Sequence, residues 1–531
     1  MLKNYKKSLM LLLVLLMTVT TLLAGCGGGD DSNAGGDGDS KTLVIAIQDE
    51  IEGTDIHQIG WENVVHQLIY SPLVTFSNDM SEIQPCAAES YEISEDGLSI
   101  TFHLFEDSKF SNGDPLTAES VKQSVMRMKE ISEYSGDIEA ITDVEVVDDT
   151  TLIYHLSEPA AYMWASLTST YGGVVDAAKA EEVGNDEFNR CAVSNGMFMV
   201  KDWQAGSQII LEKNPNFKTA NPNVENQGLA NFDEVIVRFI PDEFTRVSEL
   251  EAGNVDIAYN IPAANRADLA ENEDITLLEY EQAGVSYLML NPDKEPLTDI
   301  KVRQAINIGV DRESLASTME NVVTPMYGFL SKAQAGYSEE KEAALAAQYK
   351  YDPEQAKALL AEAGWKDSDG DGIVEKNGQP LTFELCSSTD RATAKSSAPV
   401  LQEQLKNIGI DMQIREYESA YIKQIQRENE HQAATRNYEW NDADILYYVF
   451  TEASGYPWHD AAVTAVLEEA RYITDTESRV KKYEEFHDAL FAQMPAVSLF
   501  ADVNCVGTRS NIKGFVLTND GRSIFNDTIK E

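Results

Sequence analysis

Asp367-Ser368-Asp369-Gly370-Asp371-Gly372 sets three carboxylates at alternate positions, the spacing with which a calcium loop begins to wrap a cation in oxygen ligands. Such a loop closes on a bidentate glutamate at its twelfth position, and that position here is Gly378. The stretch therefore reads as a glycine-rich turn between a helix and a strand, with calcium as the alternative, and no metal is assigned. The seven histidines include His57, His66 and the pair Trp458-His459, but none has the helical spacing around an acid that a metal site uses. No Gly-x-Ser-x-Gly elbow, His-Glu-x-x-His pair or phosphate-cradling Gly-Lys-Ser/Thr occurs. The expectation is a protein without catalytic residues or cofactor. A hydrolase using two carboxylates is the remaining enzymatic alternative in so acidic a chain. Eighty-nine acidic against 41 basic residues give a net charge of -48, which excludes a nucleic-acid partner because phosphate binding runs on Lys and Arg.

The N-terminus addresses the chain to a compartment. Lys3, Lys6 and Lys7 precede an apolar run from Leu9 to Met17, too short to span a bilayer, and small residues follow. The ending Leu23-Ala24-Gly25-Cys26 resembles a bacterial lipobox, which implies cleavage after residue 25 and diacylation of Cys26; two acyl chains anchor stably where one does not. Residues 26–40 are rich in Gly and Asp and cannot bury enough apolar surface to order themselves, so they read as a flexible tether. The mature chain is expected on the extracytoplasmic face of a bacterial cell membrane. Disulfides are permitted there, but Cys86, Cys191, Cys386 and Cys505 are far apart, and their pairing stays open.

Strands and helices alternate along the rest, which predicts an α/β fold of more than one domain. Period-two alternation marks strands at Leu98-Ile100-Phe102-Leu104, Val235-Val237-Phe239, Leu381-Phe383-Leu385 and Ile410-Met412-Ile414. Helical spacing marks Val302, Ala305, Ile306, Gly309 and Val310. Another helix has Asp352 as its cap, Pro353 in its first turn, Gln355 completing a capping box and Gly364 at its end. A third carries Leu401, Leu405 and Ile408 and stops at Gly409.

Blocks in one order then bring a family resemblance. They begin with Ala87-Ala88-Glu89-Ser90-Tyr91 through Asp96-Gly97-Leu98, and with Phe110-Ser111-Asn112-Gly113 through Leu116-Thr117-Ala118-Glu119-Ser120-Val121. Glu212-Lys213-Asn214-Pro215, Leu250-Glu251-Ala252-Gly253, Val302-Arg303-Gln304-Ala305-Ile306, Tyr351-Asp352-Pro353 and Gln404 to Ile410 follow. Together they resemble the large solute-binding proteins of dipeptide, oligopeptide and nickel ABC importers, family 5, over nearly the whole mature chain. The resemblance implies a two-lobed, periplasmic-binding-protein-like fold (class II, large cluster C type) with a hinge and an extra inserted subdomain. The expected boundaries are 41–80, 190–285 and 498–531 for lobe I, 81–189 for the inserted subdomain and 286–497 for lobe II. It further implies a monomer that captures a short peptide or peptide-like zwitterion between closing lobes and delivers it to ABC permease subunits. A nickel chelate, an opine or an oligosaccharide is the alternative ligand, and ligand sensing the alternative role.

The resemblance also nominates ligand-binding residues. Trp440 stands where the family carries a Trp-containing ligand segment, and its neighbours Asp442 and Asp444 offer a carboxylate for an amine. In peptide-binding relatives an Asp usually lies three positions after that Trp, where this chain has Ala443. Arg391 lies in the loop from which dipeptide-binding relatives grip the ligand carboxylate, a task that suits a planar guanidinium, and Arg436 is a second candidate. Tyr70, Trp61 and Asp55 follow the first strand, where lobe I usually lines the cleft.

Overall fold

The computed structural model describes residues 41–320 and 322–531. The proposed lipidation residue Cys26, the signal segment and the tether lie outside them. Twelve strands of the described chain form one mixed sheet, numbered here in chain order. They are β1 (Thr42–Ile47), β2 (Phe198–Gln204), β3 (Gln208–Lys213), β4 (Glu234–Phe239), β5 (Ile257–Ala258), β6 (Ile275–Glu281) and β7 (Ser286–Leu290). The rest are β8 (Val323–Pro325), β9 (Thr382–Ser388), β10 (Asp411–Tyr417), β11 (Ala433–Asn437) and β12 (Ala496–Arg509). The order is β10-β9-β11-β7-β12-β5-β1-β4-β3-β2, with β6 and β8 also on β12.

The 14-residue β12 makes this one sheet serve two lobes. Its first half pairs antiparallel with β7, and its second half, Val503 to Arg509, pairs with β6. Between β6 and β7 the chain crosses the same gap through Gln282–Val285, where the Gln282 N–H donates to the Asp502 carbonyl at 2.8 Å. Two strands therefore cross side by side, near 282–285 and 501–503. On one side Leu43, Ile45, Val235 and Val237 are fully buried; on the other Leu288, Phe383, Leu385 and Met412 form a separate core, with a third around Tyr287, Phe329 and Phe486.

The predicted alternations become strands, except that Leu98 stays exposed in the turn before its strand and Leu381 and Ile410 lie one residue ahead of theirs. Ile100, Phe102 and Leu104 turn inward from Ser99–Leu104 in a separate four-stranded antiparallel sheet with Ala88–Ile93, Thr151–Leu156 and Ile141–Val146. Its apolar face shares the core of Leu43 and Ile45. The helix at Ile300–Gly309 buries Val302, Ala305 and Ile306. Asp352 caps Pro353–Glu362 by accepting the Gln355 N–H at 2.9 Å, and the chain leaves that helix through Gly364 at φ +90°. The third helix, Ala392–Asn407, buries Leu401 and Leu405 and ends before Gly409, whose φ of +93° favours glycine. Cys86, Cys386 and Cys505 are buried free thiols and Cys191 an exposed one. No described helix is long and apolar enough to cross a membrane.

Candidate functional site

Two adjoining cavities open where the lobes face each other. The larger, about 600 Å3, is walled on one side by residues that follow β1 (Asp49, Trp61, Glu62, Asn63) and by Tyr134 and Tyr171. On the other side stand Glu439, Trp440 and Asn441, while Asn504, Asp520 and Arg522 come from the C-terminal end. The smaller cavity, about 400 Å3, is lined by Ser388, Arg391, Ser419, Lys423, Thr435 and Arg436. Trp61 and Glu439 line both.

Trp440 reaches the first cavity because its segment is strapped to the inter-lobe crossing. Its N–H donates to the Ala283 carbonyl at 2.7 Å, and Gly284 lies so close that a Cβ there would fall 1.9 Å from the Tyr438 carbonyl oxygen. The indole stacks on Tyr134 across the cleft, with ring centroids 6.4 Å apart at 19°. Trp61, 68% exposed, offers a second indole face. Flat apolar walls with amide groups between them suit an organic ligand with a few polar ends.

The charges of the two cavities differ. Asp49, Glu62, Glu439 and Asp520 face one arginine in the first, and that arginine is committed: Arg522 holds Asp520 at 2.8 Å and the Thr75 hydroxyl at 2.6 Å. Glu62 accepts the Thr170 N–H at 3.0 Å and the Thr170 hydroxyl, and burial pushes its pKa up. In the second cavity Arg391, Lys423 and Arg436 outnumber Glu439. Arg436 donates to Gln426 at 3.1 Å and lies 5.2 Å over the Tyr456 ring, while its buried Nε has no hydrogen-bond partner.

The sequence candidates divide. Trp440 and Trp61 line the first cavity, Trp61 also the second; Arg391 and Arg436 line the second. Arg391 arrives already paired, its Nη2 2.6 Å from Asp502 on β12. Asp442 lines neither cavity. It is fully buried, and both oxygens are taken by Arg479, at 2.7 and 2.6 Å, from the helix Thr476–Gln493. Asp444 is also buried and pairs with Arg471 at 3.1 Å, its pKa pushed up to about 6 by burial. These pairings correct the sequence assignment of both acids to an amine: each neutralises an arginine that would otherwise be buried alone. Tyr70 is turned into the core, where its hydroxyl donates to the Thr54 carbonyl at 2.9 Å. Asp55 is spent on Arg127 at 2.5 Å. Sequence reading missed Glu439, Asp49 and Tyr134. Glu439 could have been found from its place beside Trp440; Tyr134 belongs to a distant segment, and only folding brings it to the indole.

Asp367, Asp369, Asp371 and Glu375 bring their carboxylates within 4.8 Å of one another at the surface. The turn also bonds itself: Asp367 accepts the Gly370 N–H at 2.7 Å, and Glu375 the Ser368 N–H at 2.9 Å.

Residues 82–458 match the family model described as "Bacterial extracellular solute-binding proteins, family 5 Middle". The chain belongs to that family. A family 5 relative, the oligopeptide-binding protein AppA of Bacillus subtilis, is 26% identical over 470 residues, covering 85% of this chain and 84% of its own. The nickel-binding periplasmic protein of Escherichia coli is 28% identical over 370 residues, 67% of this chain and 68% of its own. The crystal structure of NikA from Brucella suis in complex with Fe(III)-EDTA has the same fold (TM-score 0.79, 21% identity, 92% of this chain and all of that one). Family 5 proteins are two-lobed, extracytoplasmic, substrate-binding components of ABC transporters; they bind peptides or small molecules, work with ABC permeases and are not enzymes.

Proposed function

We propose that this chain captures a short peptide or peptide-like zwitterion between its lobes and hands it to the permease of an ABC importer. The observation that carries this reading is the pair of adjoining cavities, acid-rich in one and base-rich in the other, which suits a ligand with charges of both signs. The larger cavity takes the bulk of the ligand between Trp440, Trp61 and Tyr134. The carboxylate goes to Arg436 and Lys423. Arg391 holds the smaller cavity's wall through Asp502 rather than gripping the ligand first, because a new carboxylate would have to displace one already 2.6 Å away. The lobes are the segments given above, hinged at the two strand crossings. Diacylated Cys26 anchors the protein as a monomer to the outer face of the membrane.

Thermal unfolding of the full chain tests this. Trialanine at about 100 times its dissociation constant should add about 2.7 kcal/mol to stability. Trialanine amide, which lacks the carboxylate, should bind at least tenfold more weakly, and Arg436→Ala should erase that difference. Unfolding unmoved by any zwitterion but shifted by a nickel chelate, a fused-ring chelator or a sugar would keep the transporter family and discard the peptide.

A further inference from the structure

The acids that the sequence nominated for an amine are both neutralised inside the second lobe, by Arg479 and Arg471. A ligand cation must therefore find its counter-charge among the acids of the cleft wall. Asp520 is closed by Arg522 and accepts the Thr518 hydroxyl, while Glu62 has its Oε2 taken by the Thr170 N–H and hydroxyl and lies in the field of Arg522. Glu439 is different. It lines both cavities at their junction, and among the described residues no cation lies within ion-pair distance of it.

Its surroundings leave a charge uncompensated. Arg391 is the guanidinium whose field reaches Glu439, but that guanidinium is already bound to Asp502, whose own charge works against Glu439. One arginine thus serves two carboxylates, and the cluster carries one net negative charge at the cavity junction. The crossing strands hold the backbone of Glu439 in place through the bond from Trp440 to Ala283. Trp440 follows directly, and Trp61 shares both cavities with Glu439. A carboxylate beside aromatic faces is the environment that an alkylammonium fits, by charge pairing and by cation–π attraction. Asp49, on the opposite lobe, adds a second carboxylate to the same cavity wall.

We propose that Glu439 is the group that selects the ligand's ammonium. The ammonium completes the Arg391–Asp502–Glu439 cluster to neutrality, so that binding removes a charge deficit at the point where the lobes are joined. This deepens the zwitterion reading and rests on it. Glu439 is exposed along the cleft as a residue, and the protein around its carboxyl raises the pKa by desolvation. Acidification through that pKa therefore removes the attraction, and affinity falls as pH falls. Gln282, which hydrogen-bonds the carboxylate, and Arg391 and Asp502 face Glu439 in setting it, and Tyr280 is the further titratable group in its field.

The test compares the full chain with Glu439→Gln by calorimetric titration of trialanine and N-acetyl-trialanine, between pH 4 and 8. The proposal expects the parent to prefer the free amine at least tenfold at pH 7 and to lose the preference on acidification. Glu439→Gln should bind both probes equally, with a flat pH profile, and keep the parent's circular dichroism and melting temperature. A Glu439→Gln variant as selective as the parent would overturn the role of Glu439 and leave the zwitterion reading standing, whereas equal binding of the two probes by the parent would overturn that role together with the ammonium half of the zwitterion reading. A parent that binds neither peptide but takes a sugar or chelate would overturn both.

Discussion

Fully buried beside Arg479, Asp442 makes the two-pronged bond that a carboxylate and a guanidinium form best, and it also accepts the Asp444 N–H at 2.8 Å. Its role is to keep a buried cation paired while the segment after Trp440 turns. Asp442→Asn should therefore cost about 3–5 kcal/mol in urea unfolding by leaving Arg479 without its charge. The folded fraction should bind ligand as the parent does. Two histidines make a pH prediction of the same local kind. His66 Nδ1 accepts the Asn63 N–H at 3.0 Å and Nε2 donates to the Gly53 carbonyl, while His487 Nε2 accepts the Phe329 N–H at 2.9 Å and Nδ1 donates to the Tyr483 carbonyl. Both bonding patterns demand the neutral ring, and burial lowers both pKa values to about 4. The folded value lies below the unfolded one near 6.5, so the stability from each ring is complete above pH 6.5 and is lost as pH falls toward 4. Within that window each contributes a slope of up to about 1.4 kcal/mol per pH unit. Imidazole NMR signals of His66 and His487 should stay in the neutral position from pH 8 to 5; titration near 6.5 would contradict the assignment.

At the scale of elements, the site depends on how β6, β7 and β12 cross between the lobes. Gly284 is there because the Tyr438 carbonyl occupies the space of a side chain. Gly284→Ala must push the Trp440 segment off the crossing, at about 1–3 kcal/mol, the usual cost of overpacking. The variant should melt lower, and its tryptophan fluorescence should respond less to ligand, since Trp440 no longer meets Tyr134 in register. The helices were readable from their ends: Asp352, Pro353, Gly364 and Gly409 act on neighbouring backbone, and such signals are local. The capping box was half realised, as Asp352 accepts the Gln355 N–H while no return bond from the Gln355 side chain forms among the described residues. Pro399 sits inside Ala392–Asn407 without ending it, because Leu401 and Leu405 bury themselves beyond it and tertiary packing outweighs the lost bond.

In the whole molecule, a contact away from both cavities joins the lobes. Arg471 lies between the rings of Tyr162, 4.3 Å from its centroid, and Tyr447, at 4.4 Å. Tyr162 belongs to the core around Leu43 and Ile45, whereas Arg471 ends the helix Ala461–Arg471 of the other lobe. A partly desolvated cation–π contact is worth about 1 kcal/mol. If lobe closure accompanies binding, Tyr162→Ala should raise the dissociation constant of every ligand by the same factor, roughly fivefold. It should also enlarge the ligand-free radius of gyration in X-ray scattering. A change confined to one ligand would place the effect at the binding site instead.

Strand alternation, helix caps, turn glycines and the order of the family blocks were determined by the sequence itself, because each depends on residues close along the chain or on a pattern inherited whole. Trp440 and Trp61 were legible as cleft aromatics for the same reason. The use of the charges was not. Asp442 and Glu439 lie three residues apart in one acidic segment, and nothing local distinguishes a carboxylate that will be buried against Arg479 from one left facing the cleft. That choice is made by a helix beginning at Thr476 and by a strand crossing at Asp502, and electrostatic pairing acts through space, so only the tertiary structure could decide which acids remain for a ligand.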